Sequence, residues 1–227
     1  MIEQLLTTLK DDSSGPPGAE FLGEVLTGDF INGEELATAI GLVAGTAQNT
    51  TEPWLHFILD GVELYVAKKP YRHSVSWNQI NAAEAVFGTK TVTINKLEYK
   101  VRLLKTVASG DTYTGSTGAW DPVEARGSEW NRLMYPIHSG KHIDPNNPSS
   151  VSGERIRFGT LAQYTDADLV VHNSAGNGSY SLCQETPSSN TGSRVVRGRH
   201  GVSYLFWTTA SNTTSHIGWR PVLELVE

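Results

Sequence analysis

Asp166 and Asp168 form an acidic pair separated by one residue. If this segment is a strand, its alternation places both carboxylates on one face, where they could ligate a metal ion or transfer protons. An acidic loop or the start of a strand explains the same residues without any chemistry. We favour that second interpretation and predict no catalytic carboxylate here.

A histidine pair and a lone cysteine are the other candidates for chemistry. His138 and His142 have the i, i+4 spacing of a helical metal motif, but the intervening residues 139–141 are poor helix formers. Cys183 is the only cysteine, and a small buried core residue is a simpler interpretation than a nucleophile. Glycine-rich phosphate-binding motifs are absent from the sequence. We therefore predict no enzyme activity, no metal ion and no cofactor.

Arginine and aromatic residues concentrate near the carboxy-terminal end. Rings stack on the C–H faces of sugars, and small polar side chains supply adaptable hydrogen bonds. We predict a recognition surface made of Arg199, His200, Tyr204, Phe206, Trp207, Thr208 and Asn212. We predict structural roles, with arginines bonding loop carbonyls or lying on rings, for Trp77, Trp130, Arg194, Arg197, Trp219 and Arg220.

The first residues are predicted to attach the chain to something else. Apolar residues in the segment 1–10 follow helical spacing, but ten residues are too few for a stable isolated helix. The segment 11–18 contains glycine, serine and two adjacent prolines, which interrupt helices and strand pairing. We therefore interpret residues 1–22 as an attachment helix with a Pro/Gly linker; a frayed terminus is the alternative.

Residues 23–53 are predicted to form a helical lead-in. Asn32 can cap a helix, with Glu35 three residues later completing a capping box, and Gly41 is a suitable stop. The predicted buried face comprises Leu36, Ala39 and Ile40.

Residues 54–227 are predicted to form the main domain, which begins with two hairpins. Asp60 and Gly61 separate two β-prone runs, a strong hairpin signal. A second hairpin is predicted over 90–105, where apolar residues alternate with Lys100 and Arg102.

Two helices and a final strand complete the predicted elements. One helix is expected over 76–86, capped by Ser74 or Ser76, and another over 127–135, capped by Ser128. The last residues, 221–226, have the composition of a strand paired inside a sheet.

Composition excludes several classes of protein. The chain has 227 residues, of which 19% are charged, and a net charge of −6, which argues against binding nucleic acid. No apolar run approaches the length of about 18 residues needed for a membrane helix, so we predict no membrane insertion. The start lacks the features of a signal peptide, which predicts synthesis in the cytoplasm. Long irregular stretches carry many aromatic residues, which predicts ordered loops.

Two segments near the carboxy-terminal end resemble the end of formylglycine-generating-enzyme-like domains. Those domains carry an RVLRGG segment and a terminal GFR followed by a strand; this chain has SRVVRG at 193–198 and IGWRPVLEL at 217–225. The resemblance implies an α+β, C-type-lectin-like fold with few regular elements and long packed loops. Those enzymes use two cysteines and copper, and this chain has 1 cysteine, so their oxidase activity is not transferred.

A fuller resemblance, over residues 54–227, is to a group of bacteriophage tail-fibre or minor virion structural proteins. The shared motifs, in the same order, are LYVAKKPYRHSVSWNQINAA at 64–83, YKVRLLK at 99–105, GSEWNRLMY at 127–135, YTDADL at 164–169 and GWRPVLEL at 218–225. The resemblance implies a binding domain in which 193–198 and 218–225 form the scaffold. The segment 198–217 is then the displayed loop.

These observations lead to one function and two alternatives. The expected function is that of a virion tail-fibre or baseplate subunit that recognises a host-surface glycan or protein. A capsid decoration or tail scaffold protein without a receptor role is the first alternative, and a glycan-acting enzyme is the second. The expected partners are two further copies in a homotrimer, other tail or baseplate proteins through residues 1–22, and the host receptor.

Overall fold

A computed structural model describes residues 18–139, 158–171 and 176–226. The predicted helix over 1–10, most of the predicted linker and His142 lie outside the described residues. The structure is mostly β, with 37% strand and 17% helix, which agrees with an α+β class at a coarse level. Among the described residues, no helix has the length and apolarity needed to cross a bilayer.

The strands in chain order are β1 (Ala19–Val25), β2 (Thr46–Ala47), β3 (Trp54–Leu59), β4 (Val62–Ala67), β5 (Arg72–His73), β6 (Phe87–Ile94), β7 (Leu97–Arg102), β8 (Thr112–Tyr113), β9 (Ala119–Trp120), β10 (Tyr180–Leu182), β11 (Thr186–Pro187), β12 (Ser193–Gly198), β13 (Tyr204–Thr209), β14 (Ile217–Trp219) and β15 (Val222–Leu225). The α-helices are α1 (Gly33–Ile40), α2 (Trp77–Ala82), α3 (Glu129–Ile137) and α4 (Asp166–Leu169). Two short 3₁₀ helices span Val123–Ala125 and Gly159–Leu161.

A six-stranded sheet has the order β1-β3-β4-β15-β7-β6. The hairpin of β3 and β4 closes through Asp60 and Gly61, both with positive φ, as predicted. The final strand β15 lies between β4 and β7 and pairs antiparallel with both, so the prediction of an inner terminal strand is confirmed.

A seven-stranded sheet has the order β2-β5-β14-β10-β12-β13-β9. Its strands pair antiparallel except for β10 and β14, which are parallel. A small third sheet joins β8 and β11 in parallel. The seven-stranded sheet therefore collects residues from almost the whole described chain, from Thr46 to Trp219.

Two buried clusters of apolar side chains hold these layers together. Alternation along β3 assigns Leu55 and Phe57 to the first cluster, together with Trp130 of α3. Trp54 belongs to the second cluster, which also contains Trp219 of β14.

The helices begin where the sequence predicts, but two details differ. Asn32 caps α1 with Glu35 completing a capping box, and Ser128 caps α3. The inner face of α1 contains Ala37, however, while Ala39 is exposed, because the helix presents a different stripe to the core. The helix predicted over 76–86 ends at Ala82, since Glu84 adopts a left-handed φ of 59° that a helix cannot continue.

The N-terminal part of the described chain belongs to the same core as the rest. The boundary predicted at residue 22 falls inside β1, which pairs with β3 along most of its length. Helix α1 contributes Leu36 and Ile40 to the second cluster, against Trp54. Residues 18–53 are therefore not a separate structural unit among the described residues.

Two further expectations are corrected by the structure. Asp166 and Asp168 lie in α4 rather than on one face of a strand, because Thr165 and Asp168 form a capping box that starts a helix. The predicted displayed loop, 198–217, contains β13, which pairs with β12 over five residues and with β9 over two. Long irregular loops are thus fewer than the sequence suggested.

Candidate recognition surface

Strand β13 divides the predicted recognition residues between its two faces. Tyr204 and Phe206 pack against the second cluster, whereas Leu205 and Trp207 belong to the first. This follows from strand geometry, which directs successive side chains to opposite sides of a sheet. The predicted surface is therefore not one surface, and Trp207 lies on the other side from Tyr204.

On the Tyr204 side, five rings from three strands and one loop meet. We call this set the aromatic face; it consists of Trp120, Tyr180, His200, Tyr204 and Phe206. The Tyr180 ring lies nearly parallel to Phe206 at 5.7 Å and to Tyr204 at 6.5 Å. Trp120 meets Tyr204 at 5.1 Å and His200 meets Tyr204 at 4.7 Å, both edge to face. Such tilted contacts leave parts of the ring surfaces available to a ligand.

Pairing across the sheet explains why distant residues meet. Tyr204 pairs with Trp120 of β9, and Tyr180 of β10 pairs with Gly198 at the end of β12. Strand β12 lies between β10 and β13, which places Tyr180 and Tyr204 one strand apart. A side chain at Gly198 would require a strained φ of 96° and would place its Cβ 3.0 Å from the Ser179 carbonyl oxygen.

Arg199 extends the aromatic face with a cation. Its Nη1 donates to the Tyr180 hydroxyl at 3.1 Å, and its guanidinium carbon lies 5.0 Å from the Tyr180 ring centre. The Tyr180 and Tyr204 ring centres lie 6.5 Å apart. Burial first, and then Tyr180, raise the pKa of Tyr204, while Arg199 opposes the rise. Tyr204 is therefore a neutral donor near pH 7.

The backbone is strained at both edges of the aromatic face. Arg199 has a φ of 64° and Asp121, next to Trp120, has a φ of 47°. Residues other than glycine rarely adopt this left-handed conformation, and such strain clusters at functional sites. The Arg199 N–H donates to the Ser179 carbonyl at 2.6 Å, which fixes this conformation.

The rings differ in exposure. Trp120, His200, Tyr204 and Phe206 are half-buried, whereas Tyr180 is buried, with 5% of its surface exposed. The aromatic face is thus a platform whose outer rings can contact a ligand while Tyr180 supports them from beneath. Its chemistry is stacking and hydrogen bonding.

The sequence did not indicate two of the five rings as site residues. Trp120 lies in a segment that reads as a loop, and Tyr180 lies in a short apolar piece; only the sheet pairing brings them to Tyr204. The two-residue strand Ala119–Trp120 carries no local signal for the pairing of Trp120 with Tyr204, 84 residues away.

The remaining predicted recognition residues have other surroundings. Trp207 contacts Tyr113 edge to face at 6.4 Å. Asn212 Nδ2 donates to the Thr208 hydroxyl at 2.6 Å, and its Oδ1 accepts from the Thr214 N–H at 2.9 Å. These bonds close the turn that follows β13, which indicates a structural use of Thr208 and Asn212.

Two of the predicted structural arginines are fully buried beside Trp130. The guanidinium carbons of Arg197 and Arg220 lie 5.2 and 5.3 Å from its ring. Arg197 Nη2 donates to the Asn131 side chain and the Tyr135 hydroxyl, each at 3.0 Å. Arg220 Nε donates to the Ala67 carbonyl at 2.7 Å. These residues tie α3, β4 and β12 together.

The other predicted structural residues are also in packed positions. Arg194 lies 4.1 Å above the Trp77 ring, and Trp77 Nε1 donates to the Cys183 carbonyl at 3.1 Å. Trp219 is fully buried in the second cluster.

The residues that the sequence suggested as candidates for metal binding or catalysis make structural contacts in the fold. Cys183 is buried, and burial raises the pKa of its thiol well above the usual value, so it is protonated at neutral pH. Asp168 accepts from Thr165, and Asp166 accepts from the Val202 N–H at 2.7 Å and lies 3.3 Å from His138. Among the described residues, no group of three His, Cys, Asp or Glu side chains is placed to hold a metal ion.

A cavity of about 420 Å³ lies at the end of β15 in the six-stranded sheet, lined in part by Glu63 and Glu224. Glu63 accepts from the Tyr65 hydroxyl at 2.6 Å and contacts His56 at 2.8 Å. Glu224 pairs with Lys100 at 3.1 Å and also with Arg102. Both carboxylates are engaged within the protein, so we place the candidate site on the aromatic face.

Comparisons with protein-family models, curated proteins and solved structures found no match for this chain.

Proposed function

We propose that this chain is a bacteriophage virion protein, a tail-fibre or baseplate subunit that binds a host-surface glycan or protein. The proposal takes its class from the resemblance to tail-fibre and minor virion proteins over residues 54–227. We further propose that the described β-rich core is a C-type-lectin-like domain. The protein then acts by binding, without catalysis or a cofactor, in the assembled virion.

The observation that carries the proposal is the aromatic face. Half-buried Trp120, His200 and Tyr204 rings meet there beside Arg199 and two left-handed backbone positions. Aromatic rings and arginine dominate the binding energy of protein recognition surfaces, and rings also stack on sugars. Backbone strain is found preferentially at functional sites, so the strained residues at both edges of the aromatic face support a role in binding a partner.

We also propose that the protein works as a homotrimer. A single stacking site of this size binds weakly, and linked sites gain roughly 10²–10⁴ in avidity when they engage one surface together. Native mass spectrometry of the purified full chain tests the stoichiometry; a monomer at micromolar concentration contradicts a trimer.

The two faces of β13 allow a matched test of the receptor role. Tyr204→Ala removes a ring of the aromatic face, while Trp207→Leu changes a residue of the same strand on the opposite face. We expect particles assembled with Tyr204→Ala to adsorb to host cells at least about tenfold more slowly, since central aromatic contacts contribute about 1.4 kcal/mol or more. Particles with Trp207→Leu should adsorb at the wild-type rate.

Equal adsorption of wild type and Tyr204→Ala particles, at equal incorporation of the protein, would overturn the receptor role. Electron microscopy of the intact particle then separates the alternatives. Density for the chain on the capsid shell supports a decoration protein, and density inside the tail supports a scaffold.

A further inference from the structure

Trp120 is held on the aromatic face by very little regular structure. Its strand β9 has two residues, and only Ala119 and Trp120 pair with β13. A two-residue ladder cannot by itself fix the position of a large half-buried ring. Another contact must therefore hold this segment.

The next residue, Asp121, supplies that contact. Its N–H donates to the Ser203 carbonyl at 3.0 Å, and its φ of 47° turns the chain inward. The side chain is buried, with 8% of the residue exposed. Its carboxylate accepts a hydrogen bond from the Tyr135 hydroxyl.

Tyr135 continues the contact into the core. It belongs to α3 and is buried, and its hydroxyl accepts from Arg197 Nη2 at 3.0 Å. Arg197 also donates to the Asn131 side chain at 3.0 Å and to the Val202 carbonyl at 3.3 Å. A hydroxyl that accepts from a buried cation and donates to a buried carboxylate couples the two charges, which makes each less costly to bury.

We propose that the chain Arg197–Tyr135–Asp121 is a positioning device for Trp120. Tyr135 and Asp121 are positioning residues: they fix the turn after β9 and thereby hold the Trp120 ring against Tyr204 and His200. The consequence for receptor binding rests on the proposed function, but the consequence for the Trp120 ring does not.

The test is ¹⁹F NMR of the full chain labelled with 5-fluorotryptophan, which reports on all 6 tryptophans at once. Trp120→Phe identifies the Trp120 resonance by its disappearance. Tyr135→Phe removes only the hydroxyl. The matched control is Tyr71→Phe, which removes another buried hydroxyl. That hydroxyl lies away from the aromatic face and donates to the Glu52 carbonyl with a bond length of 2.9 Å.

In Tyr135→Phe we expect the Trp120 resonance to shift or broaden while the Trp207 and Trp54 resonances stay in place. In Tyr71→Phe the Trp120 resonance should remain at its wild-type position. Asp121→Asn retains an acceptor for Tyr135 and tolerates the left-handed backbone, so its Trp120 resonance should stay close to wild type. Asp121→Ala should reproduce the effect of Tyr135→Phe.

An unchanged Trp120 resonance in folded Tyr135→Phe protein overturns the inference, and so does an equal change in Tyr71→Phe. Adsorption of particles carrying Tyr135→Phe separates this inference from the proposed function. A displaced Trp120 with slower adsorption supports both. A displaced Trp120 with wild-type adsorption supports the positioning role and contradicts the receptor role of the aromatic face.

Discussion

Two arginine-centred regions of this protein use the same side chain in opposite ways. In the six-stranded sheet, Arg102 forms a charge clasp, defined here as Arg102 with Glu129, Glu224 and Lys100. Arg102 makes two parallel bonds to Glu129, at 2.5 and 2.9 Å, and a third to Glu224 at 2.7 Å. On the aromatic face, Arg199 instead donates to a tyrosine and lies over its ring.

The clasp and the aromatic face also differ in burial and in backbone conformation. Arg102 and Glu129 each have 7% of their side chains exposed, and they join β7 to α3. Four of the five rings of the aromatic face are half-buried, and two left-handed residues flank them. The clasp therefore serves stability, whereas the aromatic face tolerates strain and leaves rings accessible. This is the pattern expected where one region holds the fold and the other is kept for contact with a partner.

The largest expected effect comes from breaking the clasp. Arg102→Met leaves the buried Glu129 without its cation and leaves Glu224 with Lys100 alone, which should cost about 3–5 kcal/mol of the free energy of unfolding. Lys100→Met, which removes a more exposed partner of Glu224, is the control and should cost less than about 1 kcal/mol. Urea unfolding of both variants measures the difference; similar losses would show that the clasp is not a buried unit.

A smaller loss of stability is expected on the aromatic face. Tyr204→Ala removes a half-buried ring, so we expect the free energy of unfolding to fall by about 1–2 kcal/mol. The same urea titration gives this value. A loss of stability as large as that of Arg102→Met would mean that the aromatic face stabilises the fold as much as the clasp does. The contrast between the two regions would then disappear.

Relief of strain should sharpen the contrast further. Glu84→Gly, at an exposed position with a φ of 59°, should stabilise the protein by about 0.5–1 kcal/mol. Arg199→Gly relieves similar strain but removes the contacts to Tyr180, so its gain should be smaller. Thermal unfolding of the two variants compares them directly, and a larger gain at Arg199 contradicts the contact described here.

The smallest expected effect is a pH dependence of stability that arises from the clasp. Burial raises the pKa of Glu224, but Arg102 and Lys100 outweigh it, so the net pKa lies below the usual 4.5. A carboxylate with a lowered pKa in the folded state stabilises the protein above pH 4.5, and this contribution is lost as the pH falls through the folded-state pKa. Unfolding between pH 5 and about pH 3 should therefore depend less on pH in Glu224→Gln than in wild type.

The parts of the fold predicted from sequence are those encoded locally. Asp60 and Gly61 define a hairpin because their left-handed conformations close a tight turn, and Asn32 and Ser128 start helices through bonds to residues two or three positions away. The end of α2 was missed because the residue type of Glu84 does not indicate its left-handed conformation.

The aromatic face depends on pairing between distant segments, which local patterns do not contain. The side of the sheet that Trp207 occupies is fixed only once β13 is recognised as a strand with a defined register. Trp120 and Tyr180 reach Tyr204 through strands that are 2 and 3 residues long. The sequence indicated Arg199, Tyr204 and Trp207, but it did not show that Trp207 lies on the opposite face from Tyr204.

The most direct measurement is hydroxyl-radical footprinting of the full chain, alone and bound to envelope fragments of a host that the particle infects. The account predicts that Trp120, His200 and Tyr204 lose reactivity on binding, while Trp207 and the exposed Phe87 keep theirs. Unchanged reactivity of the three aromatic-face rings in the bound state, with protection elsewhere on the molecule, would contradict it.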